Sequence, residues 1–220
     1  VIMSATRFLL PCFLLVGACG GGGGETDPTP LPNTLLIEGS DMGVKFQNIR
    51  VSRGTSAVTG ATVTVNGVTM PETGPGYYQG QLQNFLPPGA AVLLEVRAGS
   101  LVATGQTTIP QEVTMVTPVT GATITRGNVI NVTWTSSGNP DRFQIGLEYQ
   151  VNAGSTSQSV TVDGSLRAGS IPTTAVPANA TNPSVYVFGY ANGTFSGAAD
   201  PASRMNLRQP SLSVPLSFAP

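Results

Sequence analysis

Histidine is missing from this sequence altogether, and lysine occurs once, as Lys45. The first absence removes the usual general base, the most frequent metal ligand and a member of the common hydrolase triad. The second leaves a Ser–Lys dyad one possible lysine. No Ser-x-x-Lys spacing surrounds Lys45, and its alternating neighbourhood suits a solvated strand lysine. Charged residues make up 10% of the chain and the net charge is -1, against roughly 25% charged residues in an average domain. No basic field is available to gather nucleic acid, and the polar surface falls to Ser, Thr, Asn and Gln. Carboxylates such as Glu72, Glu95, Glu112, Glu148 and Asp163 are scattered singly, mostly beside turns, whereas a glycosidase sets two across a cleft. Asn139-Pro140-Asp141, Asp163-Gly164 and Asp200-Pro201 offer oxygens of the kind calcium takes. Nothing has EF-hand spacing, however, and Asp beside Gly or Pro is what a turn uses. No catalytic residue, metal site or cofactor is expected.

Helix-length windows are missing too. Beyond residue 33 the longest stretches free of Gly and Pro are 44–53 and 128–137, ten residues each, while an average helix takes about 11–12. What is present is alternation. Ile130, Val132 and Trp134 alternate with Asn131, Thr133 and Thr135; Phe143, Ile145, Leu147 and Tyr149 alternate with Arg142, Gln144, Gly146 and Glu148. Leu212, Val214, Leu216 and Phe218 alternate with Ser211, Ser213, Pro215 and Ser217. A period of two with one polar face predicts half-buried antiparallel strands. Pro215 cannot donate to a ladder, which puts the last strand at an edge.

The first two dozen residues follow another pattern. Arg7 precedes an apolar run over 8–18, broken by Pro11 and Cys12, that ends in Val16-Gly17-Ala18-Cys19. A positive n-region, a short h-region and small residues at the cut describe a secretory signal peptide, and the run is shorter than the roughly 20 residues that span a bilayer. Val16-Gly17-Ala18-Cys19 resembles the lipobox of bacterial lipoproteins. The resemblance implies cleavage between Ala18 and Cys19, a thioether-linked lipid on the Cys19 sulfur, and acylation of the new amino group; two or more acyl chains give stable anchoring. Cys12 then leaves with the leader and Cys19 carries lipid, so the mature chain holds no disulfide. Gly20 stands where lipoproteins kept at the inner membrane typically carry aspartate, which implies the outer membrane, with the face left open. Residues 19–32, five glycines followed by a Pro-rich stretch, read as a flexible tether.

Beyond the tether the fold class is all-β, two tandem antiparallel β-sandwich domains at 33–110 and 111–220. In the first, strands are expected at 44–51, with a bulge at Gln47-Asn48, and at 61–65, 68–70, 77–82, 92–98 and 101–109. Asn66-Gly67 is the strongest short hairpin signal. Val58-x-Gly60-Ala61-x-Val63-x-Val65-Asn66-Gly67, with Tyr78-x-Gly80-x-Leu82 and Pro88-Gly89, resembles the carboxypeptidase-regulatory-like or prealbumin-like sandwich. Such modules are usually not catalytic. In the second, Pro118-x-x-Gly121-Ala122-x-Ile124 and Gly127-x-x-Ile130-x-Val132-x-Trp134 are similar to the opening of an immunoglobulin- or fibronectin-III-like domain, which often buries a tryptophan on an early strand. Further strands are expected at 157–162, 184–191 and 204–207, with tight turns at Asp163-Gly164 and Asn192-Gly193. Val58-Thr-Gly-Ala-Thr recurs at Val119-Thr-Gly-Ala-Thr, either a duplicated domain or one turn-into-strand solution used twice.

Aromatics are the better candidates for contact. Tyr186, Phe188 and Tyr190 alternate with Val185, Val187 and Gly189, giving a strand that is apolar on both faces. Either it is a central strand covered on both sides, or its rings form a platform for a glycan or a partner protein. The resulting expectation is a membrane-anchored, non-catalytic lipoprotein of the bacterial envelope, acting as a binding or scaffolding module. A glycan- or protein-binding adhesin is the alternative, and an envelope hydrolase comes last.

Overall fold

A chain punctuated by Gly and Pro every few residues can close only short hydrogen-bonded runs, and with apolar residues at every second position those runs pair as sheets. The computed structural model describes residues 32–40, 46–81, 86–152 and 154–219. The expected leader, Cys19, the tether up to residue 31, and Lys45 lie outside the described residues. The described residues contain strands and no helix, which meets the all-β expectation. In chain order they are β1 (Leu36–Ser40), β2 (Phe46–Arg53), β3 (Ser56–Ala57), β4 (Thr62–Val65), β5 (Val68–Thr69), β6 (Glu72–Gly74), β7 (Tyr77–Gln81), β8 (Ala91–Ala98) and β9 (Leu101–Thr108). There follow β10 (Thr114–Thr117), β11 (Thr123–Ile124), β12 (Val129–Thr135), β13 (Arg142–Val151), β14 (Gly154–Asp163), β15 (Ala168–Pro172) and β16 (Thr181–Asn192). The chain ends with β17 (Thr194–Gly197), β18 (Arg204–Pro210), β19 (Val214–Pro215) and β20 (Ser217–Phe218).

Two apolar cores of equal size form. The first collects Ile37, Ile49, Val51, Val63, Val65, Leu94 and Val96 between the sheet holding β1, β2 and β7 and a five-stranded sheet ordered β17-β9-β8-β4-β5. The second collects Ile130, Val132, Trp134, Phe143, Ile145, Leu147, Val185 and Val187, with β13 and β16 facing the three-stranded sheet β10-β12-β15. Trp134 is buried and meets Phe143 edge-on, ring centroids 5.1 Å apart. Asn66 and Gly67 take φ of 48° and 78°, the left-handed pair that a two-residue type I′ hairpin requires.

The chain does not stay on one side of residue 110. After β16 it crosses to the first core: β17 pairs with β9, and Met205 and Leu207 of β18 are buried among the residues of β1, β2 and β8. The two ends of β18 have different partners. Arg204 and Met205 pair in parallel with Glu38 and Gly39, while Asn206 to Pro210 pair antiparallel with β16. One ten-stranded sheet results, ordered β14-β13-β16-β18-β1-β2-β7-β6, with β19 also on β16 and β3 on β2.

Several local expectations need correction. No bulge occurs at Gln47-Asn48, since β2 runs in unbroken register with β7 and, from Asn48, with β1. Asn192-Gly193 is not the tight turn expected. It is the crossing into β17, where a Cβ on Gly193 would come 2.4 Å from the Met205 methyl carbon, which would have to move aside. The single strand read over 211–218 is two short pieces, and Leu212 is 88% exposed, outside the alternation. Ser211 breaks the run by turning its hydroxyl inward to accept the Val187 N–H at 2.9 Å.

Candidate functional site

On β16 the valines Val185 and Val187 fill the second core, so Tyr186, Phe188 and Tyr190 point to the opposite, outer face, where each is half-buried. The structure brings the three rings into one row. Tyr186 and Phe188 centroids lie 4.8 Å apart at 57°, and Phe188 and Tyr190 lie 6.1 Å apart at 67°. The row is a ridge of tilted rings, as edge-on quadrupole packing favours.

The neighbouring strand fits this row residue by residue. β13 sets Gly146 opposite Tyr186, Gln144 opposite Phe188 and Arg142 opposite Tyr190. Tyr186 lies over Gly146 so closely that a Cβ there would come 2.0 Å from its Cζ. The Tyr190 hydroxyl donates to Gln144 Oε1 at 2.7 Å, and Gln144 Nε2 donates to the Ser159 hydroxyl at 2.7 Å. The Arg142 guanidinium stands 4.7 Å from the Tyr190 ring centre and that of Arg208 5.3 Å from Phe188, within the range of a cation–π contact. Burial pushes the Tyr186 phenol pKa up, and the Glu148 carboxylate adds to it against smaller opposition from the Ser157 hydroxyl and Arg208. Tyr186 is therefore a neutral phenol at physiological pH.

Through β18 the same sheet face continues over the first core, because Arg204, Asn206 and Arg208 alternate with the buried Met205 and Leu207. Arg204, Glu38, Arg50 and Tyr77 follow one another across β18, β1, β2 and β7. Glu38 lies 3.6 Å from Arg50 and 3.9 Å from Arg204, and Arg50 sits 5.6 Å from the Tyr77 ring centre. Glu38, Arg50, Thr73 and Tyr77 line a shallow depression of about 310 Å³. Sequence reasoning missed this row. Its members come from separate segments, united by the antiparallel β1–β2 and β2–β7 pairings and, for Arg204, by the parallel β1–β18 pairing.

A larger open cleft of about 850 Å³ lies where β8 and β9 meet the 138–141 loop and the end of β16, lined by Gln106, Thr108, Gln111, Asn139 and Asn192 among others. One carboxylate lines it, Asp141, and its Oδ2 accepts the Asn192 N–H. The oxygens weighed for calcium accept hydrogen bonds, within turns or across them. Asp163 Oδ1 accepts from the Ser165 hydroxyl and N–H, which hold its pKa below the usual carboxylate range. Asp200 accepts from the Ala202 N–H and the Thr34 hydroxyl, and Asn139 Oδ1 accepts from Arg167. Among the described residues no group of three His, Cys, Asp or Glu side chains is placed to hold a metal ion.

No protein-family model matches the chain, and no curated protein matches it. Among solved structures it is similar to the FN1–FN3 domains of chicken CNTN1, at 15% identity and a TM-score of 0.34 over 88% of this chain and 68% of that one. It is also similar to the IG1+IG2 domains of DIP-gamma, at 8% identity and a TM-score of 0.24 over 84% of this chain and 95% of that one.

Proposed function

We propose that the chain is a lipid-anchored, non-catalytic module of the bacterial envelope, held at the outer membrane through Cys19, that grips a partner protein on the outer face of its large sheet. The observation that carries this reading is the ridge of Tyr186, Phe188 and Tyr190, half-exposed and flanked by Arg142 and Arg208. Tyr and Arg on a rigid strand are the residue types that concentrate binding energy at protein interfaces. The tilt between rings favours a partner surface that interdigitates with the ridge over a flat sugar lattice laid across it. The anchor reading rests on Val16-Gly17-Ala18-Cys19 and the glycine tether behind it.

The test is capture of envelope proteins by the wild-type chain against Tyr186→Ala and Tyr190→Ala. Each substitution is expected to weaken capture about 30-fold, the ~2 kcal/mol of a hot-spot residue. Retention by soluble envelope glycans, lost in the same variants, would replace the protein partner with a glycan. Unchanged binding in both assays would remove the ridge from the function. Fatty-acid labelling of wild type against Cys19→Ala tests the anchor separately; equal labelling refutes it.

A further inference from the structure

An exposed sheet edge offers a row of unpaired N–H and C=O groups, and natural sheets blunt such edges with short strands, bulges, Pro or Lys. Among the described residues the sheet edges are blunted in this way, with one exception. β5, β11 and β20 have two residues each, β17 has four, and β15 has five and closes on Pro172. β6 and β10 have three and four residues and each carries a register shift. β14, at the end of the ten-stranded sheet, has ten residues in unbroken register with β13. Its sequence, Gly-Ser-Thr-Ser-Gln-Ser-Val-Thr-Val-Asp, contains no Pro, Lys or Arg, and its one charge, Asp163, is the last residue. Apart from the Asp163 carbonyl, which accepts the Leu166 N–H, the edge backbone of β14 has no hydrogen-bond partner among the described residues. Gln158 reaches across to the Pro172 carbonyl with its side chain and leaves that backbone free.

We infer that β14 is the joint of a two-fold dimer, in which two copies of the chain pair their β14 strands antiparallel and merge their large sheets. The occupant is a second copy because the edge is self-complementary. A two-fold axis perpendicular to the sheet keeps each outer face outward, so opposed residues share a face and the register centres on Gln158 or on Ser159. Centred on Ser159, the outer face pairs Ser159 with Ser159 and Ser157 with Thr161. Centred on Gln158, it pairs Ser157 with Ser159 and Ser155 with Thr161. In the Ser159 register the two Asp163 side chains lie about 27 Å apart, beyond the ~10 Å Debye length at 0.1 M salt. No like charges meet along the joint. A closed two-fold contact of this kind uses one patch twice. It also places both aromatic ridges on the same face, five strand spacings or roughly 24 Å apart.

Sedimentation equilibrium of the full chain over a concentration series tests the joint. The wild-type average mass is expected to rise from that of one chain toward twofold that value. Ser157→Lys/Ser159→Lys opposes lysines in either register and is expected to stay at one chain mass, as is Ser157→Asp/Ser159→Asp. An equimolar mixture of the two variants is expected to recover the doubled mass. Hydrogen exchange on wild type should slow at alternate β14 amides as concentration rises. A wild type that stays monomeric at every concentration overturns the inference, including one that takes up a foreign strand at β14 instead. So does a dimer that neither variant disturbs.

Discussion

The Tyr78 phenol sits between two backbone groups of one loop: its O–H donates to the Val58 carbonyl at 2.8 Å, and it accepts the Ala61 N–H at 2.9 Å. The ring is 1% exposed, and both bonds are part-buried. Removing the hydroxyl by Tyr78→Phe strands both groups and is expected to cost about 1–3 kcal/mol at pH 7, read as a lower urea midpoint. Burial raises the phenol pKa; the Ala61 N–H partly offsets this, and the Glu72 charge adds to it. As pH rises the unfolded chain gives up this proton first, at the ordinary value of 10.0. The contribution is complete below pH 10 and falls as pH climbs toward the folded value. The gap between wild type and Tyr78→Phe should therefore narrow above pH 10, and a gap that widens there would refute this assignment. Arginines serve the interior in a similar way. Arg167 donates to the carbonyls of Gly138 and Gly164 at 2.8 and 2.9 Å and to Asn139 Oδ1 at 2.7 Å. Arg126 reaches the Ala180 carbonyl at 2.8 Å and lies 4.1 Å from the centre of the Phe218 ring. With charge so scarce, the planar guanidinium fork is spent on loop carbonyls that a disulfide or a longer strand would otherwise fix.

The pairing of β13 with β16 repeats a device found where β9 meets β17. Gly146 lies directly opposite Tyr186, and Gly105 directly opposite Phe195, each glycine covered by the aromatic ring across from it. Glycine weakens a strand by roughly 0.5–1 kcal/mol, and the covering ring returns a comparable amount. Gly146→Ala should therefore leave stability within about 1 kcal/mol of wild type, since the Tyr186 side chain can swing aside while the backbone ladder stays intact. The ring then leaves the ridge, and partner capture should fall as it does in Tyr186→Ala. Wild-type capture by a folded Gly146→Ala chain would show that the position of this ring is immaterial. Much of this was legible beforehand. Alternation located β12, β13 and β16, Asn66-Gly67 marked its hairpin, and Tyr186, Phe188 and Tyr190 were named from their spacing alone. β1, β3, β6, β10, β15 and β17 were missed, being short or unpatterned, and nothing local states that Phe195 will cover Gly105. The recurring Val-Thr-Gly-Ala-Thr places a left-handed glycine in each copy, Gly60 and Gly121 at φ of 67° and 79°, though the groups around them differ. Ala61 donates to Tyr78 and Ala122 to the Val119 carbonyl.

The excursion of the chain end ties the two cores together. Met205 and Leu207 are each 1% exposed in a core whose other buried members come from residues 35–109, and their strand continues directly into the ladder of β16. The preceding turn is fastened to the start of β1. Leu35 donates to the Ala198 carbonyl and accepts the Asp200 N–H, each at 2.8 Å, and the Ser203 hydroxyl accepts the Ile37 N–H at 3.1 Å. Opening the first core therefore frees β17 and half of β18, and freeing β18 removes a neighbour from β16. Local patterning could not reveal this, because a strand shared by two cores has the same alternation as a strand serving one. The expected consequence is a single cooperative thermal transition for both sandwiches. Met205→Ala deletes a core side chain in a site hemmed in by β1 and β2, a change that typically costs 2–5 kcal/mol and at this chain length lowers Tm by roughly 5–15 °C. Calorimetry should show the whole transition moving, and the Trp134 fluorescence signal from the second core should shift by the same amount as the calorimetric midpoint. Two separable transitions, with Met205→Ala lowering one while the Trp134 signal holds its wild-type midpoint, would mean that β18 lies across both cores without coupling their stabilities.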